Sequence, residues 1–406
     1  MAIKAGELIH VGNMVLIDRI QTGGPGDLNI PTERIEELGN YESVATIRDI
    51  PDLSFTLESL DASAELEAML LGRDFETDTD GQEYVISRAR AVDVVSQFKA
   101  GKYADNPFDV VASVALPYLA LESLSYSFGV QDNASQSATL RGDSVFYAGA
   151  SAYVQEFEGT DTPEQELVLD NEAIPYNGDN IAGTRYALGV FLVGSQRRLV
   201  AQVDYTEQTD AGVTTITLND ATDEQIRVVY QSAAVAEYPQ ASHAAASATR
   251  PAALKGRDIE IRVGGSAVTD RWSSVQSVTV DWRVQIERDE ELGNQQVVSQ
   301  DFDVPEVSGQ VDIRPRDAEE LIERIKQIAG VSGNEVVGAL QTVELPLEII
   351  LHSPDDGTPL KTLYVPDARF TLPGYQGQVQ QKLDVTFPFE SDRGSLTVYK
   401  GARPQS

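Results

Sequence analysis

The heptapeptide Arg34-Ile35-Glu36-Glu37-Leu38-Gly39-Asn40 returns later in the chain as Arg288-Asp289-Glu290-Glu291-Leu292-Gly293-Asn294. Downstream of it, Asp49-Ile50-Pro51 recurs as Asp303-Val304-Pro305 with no gap between. Nine of the eighteen positions from Arg34 to Pro51 are identical in the second occurrence. Matches of this kind at constant spacing indicate an internal duplication, in which one fold is present twice in the chain.

The same elements are predicted in both copies. After the repeated motif, apolar residues alternate with polar ones over residues 53–57 and again over 307–313, which is typical of a half-buried strand. Each strand is followed by a short run with helical spacing that ends at a glycine, Gly72 or Gly330. Ahead of the first motif, Gly23-Gly24-Pro25-Gly26 predicts a turn between two strands. Each copy therefore indicates a strand-rich unit with one helix.

We therefore predict a mainly β protein with two tandem β-sandwich or barrel domains, each with one short helix. The first domain spans residues 1–151 and the second 257–406. Between them, short strands separated by turns over residues 152–238 predict an inserted small β-sandwich without a counterpart in the other copy. Residues 239–256, rich in Ala, Ser and Pro, predict a linker.

The charge balance is strongly acidic, with 64 acidic against 31 basic residues and a formal net charge of −33. The acids are spread along the chain, which argues against a disordered acidic tail. Two interpretations are compatible with each other: a surface that stays hydrated in a very salty cell, and an acidic face that repels nucleic acid or another polyanion. No cluster of Lys and Arg is present to replace the counterions of a phosphate backbone, so direct phosphate binding is disfavoured.

Catalytic signals are weak. The three histidines (His10, His243 and His352) lie at no spacing typical of a metal site or a triad, and cysteine is absent. The segment Glu76–Gly81 is similar to the start of a calcium loop, but its twelfth position is Ser87 where a carboxylate is required. We predict no catalytic residue, no cofactor and no metal site, hence no enzyme. No apolar run reaches the roughly 20 residues of a membrane span, so no membrane partner is predicted.

Beyond the "ELGN" motif, the run DIPDLSFTLES (49–59), a short helix and FDVVASVALPYLALESLSYSF (108–128) resemble the tail tube, or major tail, proteins of tailed viruses. The resemblance covers residues 7–150 and 257–400. It implies a structural subunit of stacked six-fold rings around a lumen through which genomic DNA passes. Because the unit is duplicated here, homotrimeric, pseudo-hexameric rings are expected. The charge suggests a virus of a salt-loving host.

The resemblance also implies partners and a location. The expected partners are further copies of the chain, a tape measure protein and genomic DNA in the lumen without specific DNA binding, and other tail proteins at the tube ends. The protein is expected in the tail of the virion, after assembly in the host cytoplasm. The insert is expected on the outside of the tube.

By the same resemblance, the polar loops Asn40–Arg48 and Asn294–Phe302 are expected to contact a neighbouring subunit or the next ring; the alternative is that they are ordinary exposed loops. The candidate contact residues are Glu36, Glu37, Asn40, Tyr41, Glu42, Arg48, Glu290, Glu291, Asn294, Gln295 and Gln296. Two other functions stay open at this point. One is a ring protein of related fold at the tail tip or an adaptor position, and the other is a carbohydrate-binding surface β protein that uses the insert.

Overall fold

The computed structural model describes residues 8–11, 20–29, 32–35, 45–48, 50–60, 63–73, 78–89, 91–99, 110–176, 184–234, 254–265, 271–290, 296–333, 335, 337–338, 342–373, 383–391 and 393–404. The protein is mainly β, as the sequence predicts. Its described residues form 26 strands, two α-helices and two short 3-10 helices, Ile86–Arg88 and Gly256–Asp258. Most of the predicted linker lies outside these residues.

The part of the chain before the insert contains ten strands and helix α1 (Glu65–Leu70). The strands are β1 (Leu8–Val11), β2 (Ile20–Asn29), β3 (Thr32–Ile35), β4 (Ala45–Arg48), β5 (Asp52–Ser59), β6 (Glu83–Val85), β7 (Val92–Lys99), β8 (Val110–Gly129), β9 (Ser135–Gly142) and β10 (Phe146–Ala148). Strand β5 is amphipathic, since Leu53, Phe55 and Leu57 are buried and the residues between them are not. This alternation is the one predicted from the sequence.

The insert contributes seven strands in two sheets. They are β11 (Ser151–Phe157), β12 (Glu166–Val168), β13 (Ala187–Leu192), β14 (Arg197–Arg198), β15 (Tyr205–Asp210), β16 (Val213–Leu218) and β17 (Ile226–Ser232). One sheet has the order β11-β17-β13-β14 and the other β12-β16-β15. Apolar residues of both sheets, such as Val228 and Ile216, belong to one buried cluster. The insert is therefore a small β-sandwich with its own core.

The part after the insert contains nine strands and helix α2 (Ala318–Ala329). The strands are β18 (Ile259–Val263), β19 (Val275–Arg283), β20 (Ile286–Asp289), β21 (Ser299–Phe302), β22 (Glu306–Ile313), β23 (Glu344–His352), β24 (Pro359–Phe370), β25 (Val385–Ser391) and β26 (Thr397–Lys400). Asp317 caps α2 by accepting a hydrogen bond of 2.9 Å from the Glu320 N–H. Gly330 ends the helix at φ 66°, in the left-handed conformation that favours glycine.

Strand pairing is the same in the two copies. The first copy pairs β1–β7, β7–β8, β8–β9, β8–β10, β9–β5, β5–β2 and β3–β4. The second copy pairs β18–β23, β23–β24, β24–β25, β24–β26, β25–β22, β22–β19 and β20–β21. Even the register repeats, because Leu57 faces Ala138 as Val311 faces Phe387, at the spacing of the sequence repeat. Both copies thus have the same topology.

The two copies are not separate globules. Strand β19 of the second copy pairs antiparallel with β8 of the first, and β26 pairs with β6. These pairings merge the strands into one 15-stranded sheet whose main path is β18-β23-β24-β25-β22-β19-β8-β9-β5-β2. One apolar cluster contains residues of both copies, from Leu53 to Val398. Strands from before and after the insert therefore lie in one sheet and have a common core.

Strand β2 ends this path, and within the described residues it pairs only with β5. The predicted turn at Gly23-Gly24-Pro25-Gly26 is wrong, because these residues lie inside β2. Their pairing with β5 shows a register shift between Pro25 and Leu28. A central strand uses its backbone N–H groups in hydrogen bonds to the strands on both sides. Proline has no N–H, so it is tolerated at an edge or a bulge. The position of β2 explains why a turn-like sequence forms a strand.

Candidate functional site

Six neighbouring strands, β5, β9, β8, β19, β22 and β25, cross the boundary between the copies and have one polar face. Their buried face carries apolar residues such as Leu124, Val280 and Phe387. The opposite face is rich in hydroxyl groups. One row that follows the strand register consists of Glu58, Ser137, Ser125, Asp281, Ser308 and Glu390. The polar face is thus continuous from the first copy into the second.

This polar face is acidic. Considering Ser123–Gly129 of β8 and the full described length of the other five strands, its ionisable side chains are Asp52, Glu58, Arg141, Asp281, Arg283, Glu306, Asp312 and Glu390. Carboxylates therefore outnumber guanidinium groups by six to two. A polyanion on this surface would meet mainly carboxylates and hydroxyl groups, neither of which binds phosphate as a guanidinium does.

Several of these charged groups form hydrogen bonds or ion pairs with neighbouring side chains. Asp312 accepts hydrogen bonds from the hydroxyl groups of Ser277 at 2.5 Å and Thr386 at 2.6 Å. Arg141 forms a bidentate pair with Asp52, at 2.9 and 2.7 Å, and contacts Glu122 at 3.2 Å. One of the two cations of the polar face is therefore neutralised within the chain.

The boundary between the copies is an antiparallel ladder. Residues Ser277–Arg283 of β19 face Gly129–Ser123 of β8 in continuous register. The ladder continues at both ends, where the Val284 N–H donates to the Glu122 carbonyl at 3.0 Å and the Val130 N–H to the Gln276 carbonyl at 3.0 Å. The first copy is thereby joined to the second edge to edge, in a heterologous contact.

The hairpin β20–β21 of the second copy contacts the first copy through Arg288. Its Nη2 atom donates to the Asp52 carboxylate at 2.7 Å and to the Gly142 carbonyl at 2.9 Å, and its Nη1 atom to the Pro51 carbonyl at 3.4 Å. Hydrogen bonds from Arg141, followed by the charge of Arg288, lower the pKa of the Asp52 carboxyl below its ordinary value of 3.8 despite partial burial. Arg288 therefore stabilises the ionised form of Asp52.

The insert meets both copies at Arg198, which is buried. Its guanidinium donates to the buried Asp143 carboxylate of the first copy at 2.7 Å, and Asp143 also accepts the Val297 N–H of the second copy at 2.7 Å. The same guanidinium lies 5.3 Å from the ring centroids of Tyr118 and Phe191, which stack on each other. Arg198 thus links the insert to the junction of the two copies.

A buried ion pair connects the copies on the other side of the sheet. Lys361 of β24 binds Glu67 of α1, and both side chains are about fully buried at 1% and 0% exposure. Lys361 also donates to Gln136 at 2.8 Å and lies 4.8 Å from the Tyr126 ring centroid, while Tyr126 donates to Glu67 at 2.5 Å. Burial, together with the Glu67 charge, raises the pKa of Tyr126, so its hydroxyl stays a donor.

Three of the predicted contact residues lie within the described part of the chain, in or beside the hairpins β3–β4 and β20–β21. Glu290 is exposed beyond β20, Gln296 is half-buried before β21, and Arg48 is the last residue of β4. The rest lie outside the described residues: Glu36, Glu37, Asn40, Tyr41, Glu42, Glu291, Asn294 and Gln295. Part of the predicted loop Asn40–Arg48 is strand, because Ala45–Arg48 pairs with β3. Likewise, Ser299–Phe302 of the second predicted loop is β21.

The contact residues predicted from the sequence do not include the residues that join the two copies. Arg288 is the first residue of the repeated heptapeptide, so its identity with Arg34 was a usable signal. Asp143, Arg198 and Lys361 carry no such signal, because each acquires its partner only through contacts between distant parts of the chain. In the segment similar to a calcium loop, the Asp78 carboxylate accepts a hydrogen bond of 3.0 Å from the Tyr84 hydroxyl.

No protein-family model matches the chain, and no curated protein is significantly similar to it. Within the described residues, no group of three or more His, Asp and Glu side chains is arranged to hold a metal ion. The same residues contain no helix with the length and hydrophobicity to span a bilayer. The geometry of the junction and of the polar face is therefore the basis for a functional proposal.

Proposed function

We propose that this protein is the structural subunit of a virus tail tube, in which copies of the chain form stacked rings around a DNA-conducting lumen. The observation that carries the proposal is the β8–β19 junction. It joins two units of equal topology edge to edge and leaves β2 at the other end of the path. A heterologous contact of this kind adds further units in the same direction, and the assembly becomes a ring when the rotation closes.

Three chains would supply six equivalent units to one ring, so the ring is a homotrimer that imitates a hexamer. Closure would also protect β2, which pairs on one side only among the described residues and whose other side would invite pairing with any other strand. The insert occurs once in each chain, packs on β8 through Phe191 and Val229, and lies outside the lumen.

The acidic polar face lines the lumen in this assembly. DNA carries about one negative charge per 1.7 Å of its axis, and carboxylates and hydroxyls give it no cationic contact. At molar salt the Debye length is about 3 Å, so long-range repulsion is screened. The scarcity of free cations is then the property that lets DNA pass, with the carboxylates acting at close approach.

The remaining partners follow from this location. Inside the tube the protein meets a tape measure protein and then genomic DNA, without specific binding, and other tail proteins contact the tube ends. The protein resides in the tail of the virion after assembly in the host cytoplasm. The acidic surface keeps such a particle hydrated at high salt, which fits a virus of a salt-loving host.

Negative-stain electron microscopy of the purified protein at increasing concentration tests the proposal. We expect rings with three-fold mass and, at high concentration, rods of constant diameter. Single rings that never stack would favour an adaptor ring protein of the tail. Monomers at every concentration and salt condition would overturn the tube proposal, and glycan binding by such monomers would favour a carbohydrate-binding protein.

The lumen assignment has a separate test. We expect that Ser125→Lys, Ser137→Lys and Ser308→Lys together slow genome ejection from assembled particles, because they add cations to one row of the polar face. Thr162→Lys, Thr206→Lys and Gln208→Lys on exposed positions of the insert add the same charge as a control. Equal ejection rates for the two triple variants would contradict the lumen assignment.

A further inference from the structure

The Arg288 site of the first copy has an equivalent in the second copy. The repeated sequence and the strand register match Asp52 with Glu306 and Pro51 with Pro305. The third acceptor, the Gly142 carbonyl, corresponds to Ser391, because Gly142 faces Leu53 as Ser391 faces Val307. A carboxylate is thus present at the same position of both copies, whereas the Ser391 carbonyl of the second copy already accepts a hydrogen bond of 3.3 Å from the Gly394 N–H.

The two sites differ in what covers them. In the first copy, Ile50 and Pro51 are half-buried and Asp52 binds Arg288. In the second copy, Glu306 is exposed and Val304, the counterpart of Ile50, is 77% exposed. Phe302 beside it is 38% exposed. A large apolar side chain at that exposure next to an exposed carboxylate is the surface expected of an unfilled contact site.

The hairpin β3–β4 of the first copy is the equivalent of the hairpin β20–β21 of the second copy. It pairs Arg34 with Thr46 and Ile35 with Ala45, as β20–β21 pairs Arg288 with Gln300 and Asp289 with Ser299. Within the described residues, β3 and β4 pair only with each other. At the register position of Arg288, the sequence has the identical residue, Arg34. A second copy of this chain can therefore supply the missing hairpin and its arginine.

We propose that the β3–β4 hairpin of one chain binds the second copy of its neighbour, with Arg34 paired to Glu306. This contact rests on the proposed ring and would form the interface between neighbouring chains in it. The charges fit, because the Arg34 guanidinium would take at Glu306 the place that the Arg288 guanidinium takes at Asp52. An arginine–carboxylate pair is specific as well as stabilising, because the planar guanidinium matches the carboxylate geometry.

Charge reversal tests the pair. We expect that Arg34→Glu and Glu306→Arg each raise the concentration needed for half-maximal ring assembly by about tenfold or more, because like charges then meet across the seam. The double variant Arg34→Glu/Glu306→Arg should recover most of the assembly. Arg257→Glu, which makes the same charge change at a side chain that is 80% exposed, is the matched control. Mass photometry gives the ring fraction directly.

The monomer supplies a second readout. Glu306→Arg, at an exposed position, should leave thermal unfolding of the isolated chain unchanged, whereas Arg288→Glu should lower the unfolding temperature because its pair with Asp52 lies within the chain. Rings that form equally well in Arg34→Glu and in the unmodified protein would overturn this contact and leave the ring intact. Failure of the double variant to recover would overturn it as well. An unmodified protein that stays monomeric would overturn the ring and this contact together.

Discussion

All six residues of helix α1 are buried, whereas helix α2, at the same place in the second copy, buries only Leu321, Ile328 and Ala329 among its twelve residues. The second copy covers α1, and within the described chain nothing equivalent covers α2. Its exposed Ile322 lies beside a groove formed with Leu321, Ile325 and Leu383. The exposure of α2 therefore follows from its position in the chain, because the equivalent surface of the first copy is covered by the second copy.

Placing a charge on each helix gives the largest contrast. Leu66→Asp should destabilise the protein by more than about 4 kcal/mol, because a carboxylate would be buried in the common core. Ile322→Asp should change the unfolding free energy by less than about 0.5 kcal/mol and should reduce ring assembly. Urea unfolding of both variants measures the first effect and mass photometry the second. Equal loss of stability would show that α2 is covered within the monomer.

The buried pair of Lys361 and Glu67 comes next. Lys361→Ala should cost about 3 kcal/mol or more, because Glu67 would remain as a buried charge without its cation. Lys326→Ala, on helix α2, is a lysine control without a buried carboxylate partner. The double variant Lys361→Met/Glu67→Gln should be closer to the unmodified protein in chemical denaturation. A double variant as unstable as Lys361→Ala would indicate that packing, not charge, makes Lys361 necessary.

Arg198 has a smaller expected effect. Arg198→Ala should cost about 2 kcal/mol, because Asp143 keeps the Val297 N–H and the Ser144 hydroxyl as donors. We expect faster hydrogen exchange at Val297 and Val298, whose hairpin is held at this point. Arg197→Ala, a neighbour whose side chain is 46% exposed, serves as the control. Unchanged hydrogen exchange in Arg198→Ala would show that Arg198 of the insert does not stabilise the β20–β21 hairpin.

The smallest effect is the pH dependence of the Asp52 pair. Because Arg141 and Arg288 lower the pKa of Asp52 in the folded protein, its contribution is present above the unfolded value near 3.8. It is lost as the pH falls through the lowered folded pKa. The stability difference between the unmodified protein and Asp52→Asn should therefore be constant at neutral pH and disappear in strong acid. Denaturation of both proteins at several pH values measures it. A difference that persists at the acid limit would assign the stabilisation to packing.

The sequence was informative wherever a feature is local or repeated. Alternation in β5, the glycine that ends α2 and the mainly β class all depend on neighbouring residues, and the structure agrees with them. The later strands of the two copies share no motif, so only the pairing register equates Leu140 with Phe389. The common core was not predictable, because a pattern of burial does not show which copy supplies the covering surface. The turn predicted at Gly23–Gly26 was wrong for a similar reason, since the edge position of β2 decides its structure.

The merged core has a consequence for how any closed assembly of this chain would begin. In such an assembly every second seam would be made during folding, because both halves of the pair belong to one chain and meet at a high effective concentration. Dilution would then separate chains from one another but not the halves of a pair. Because the halves differ in sequence, the insert would occur at alternate positions of such a ring, without crowding its neighbours.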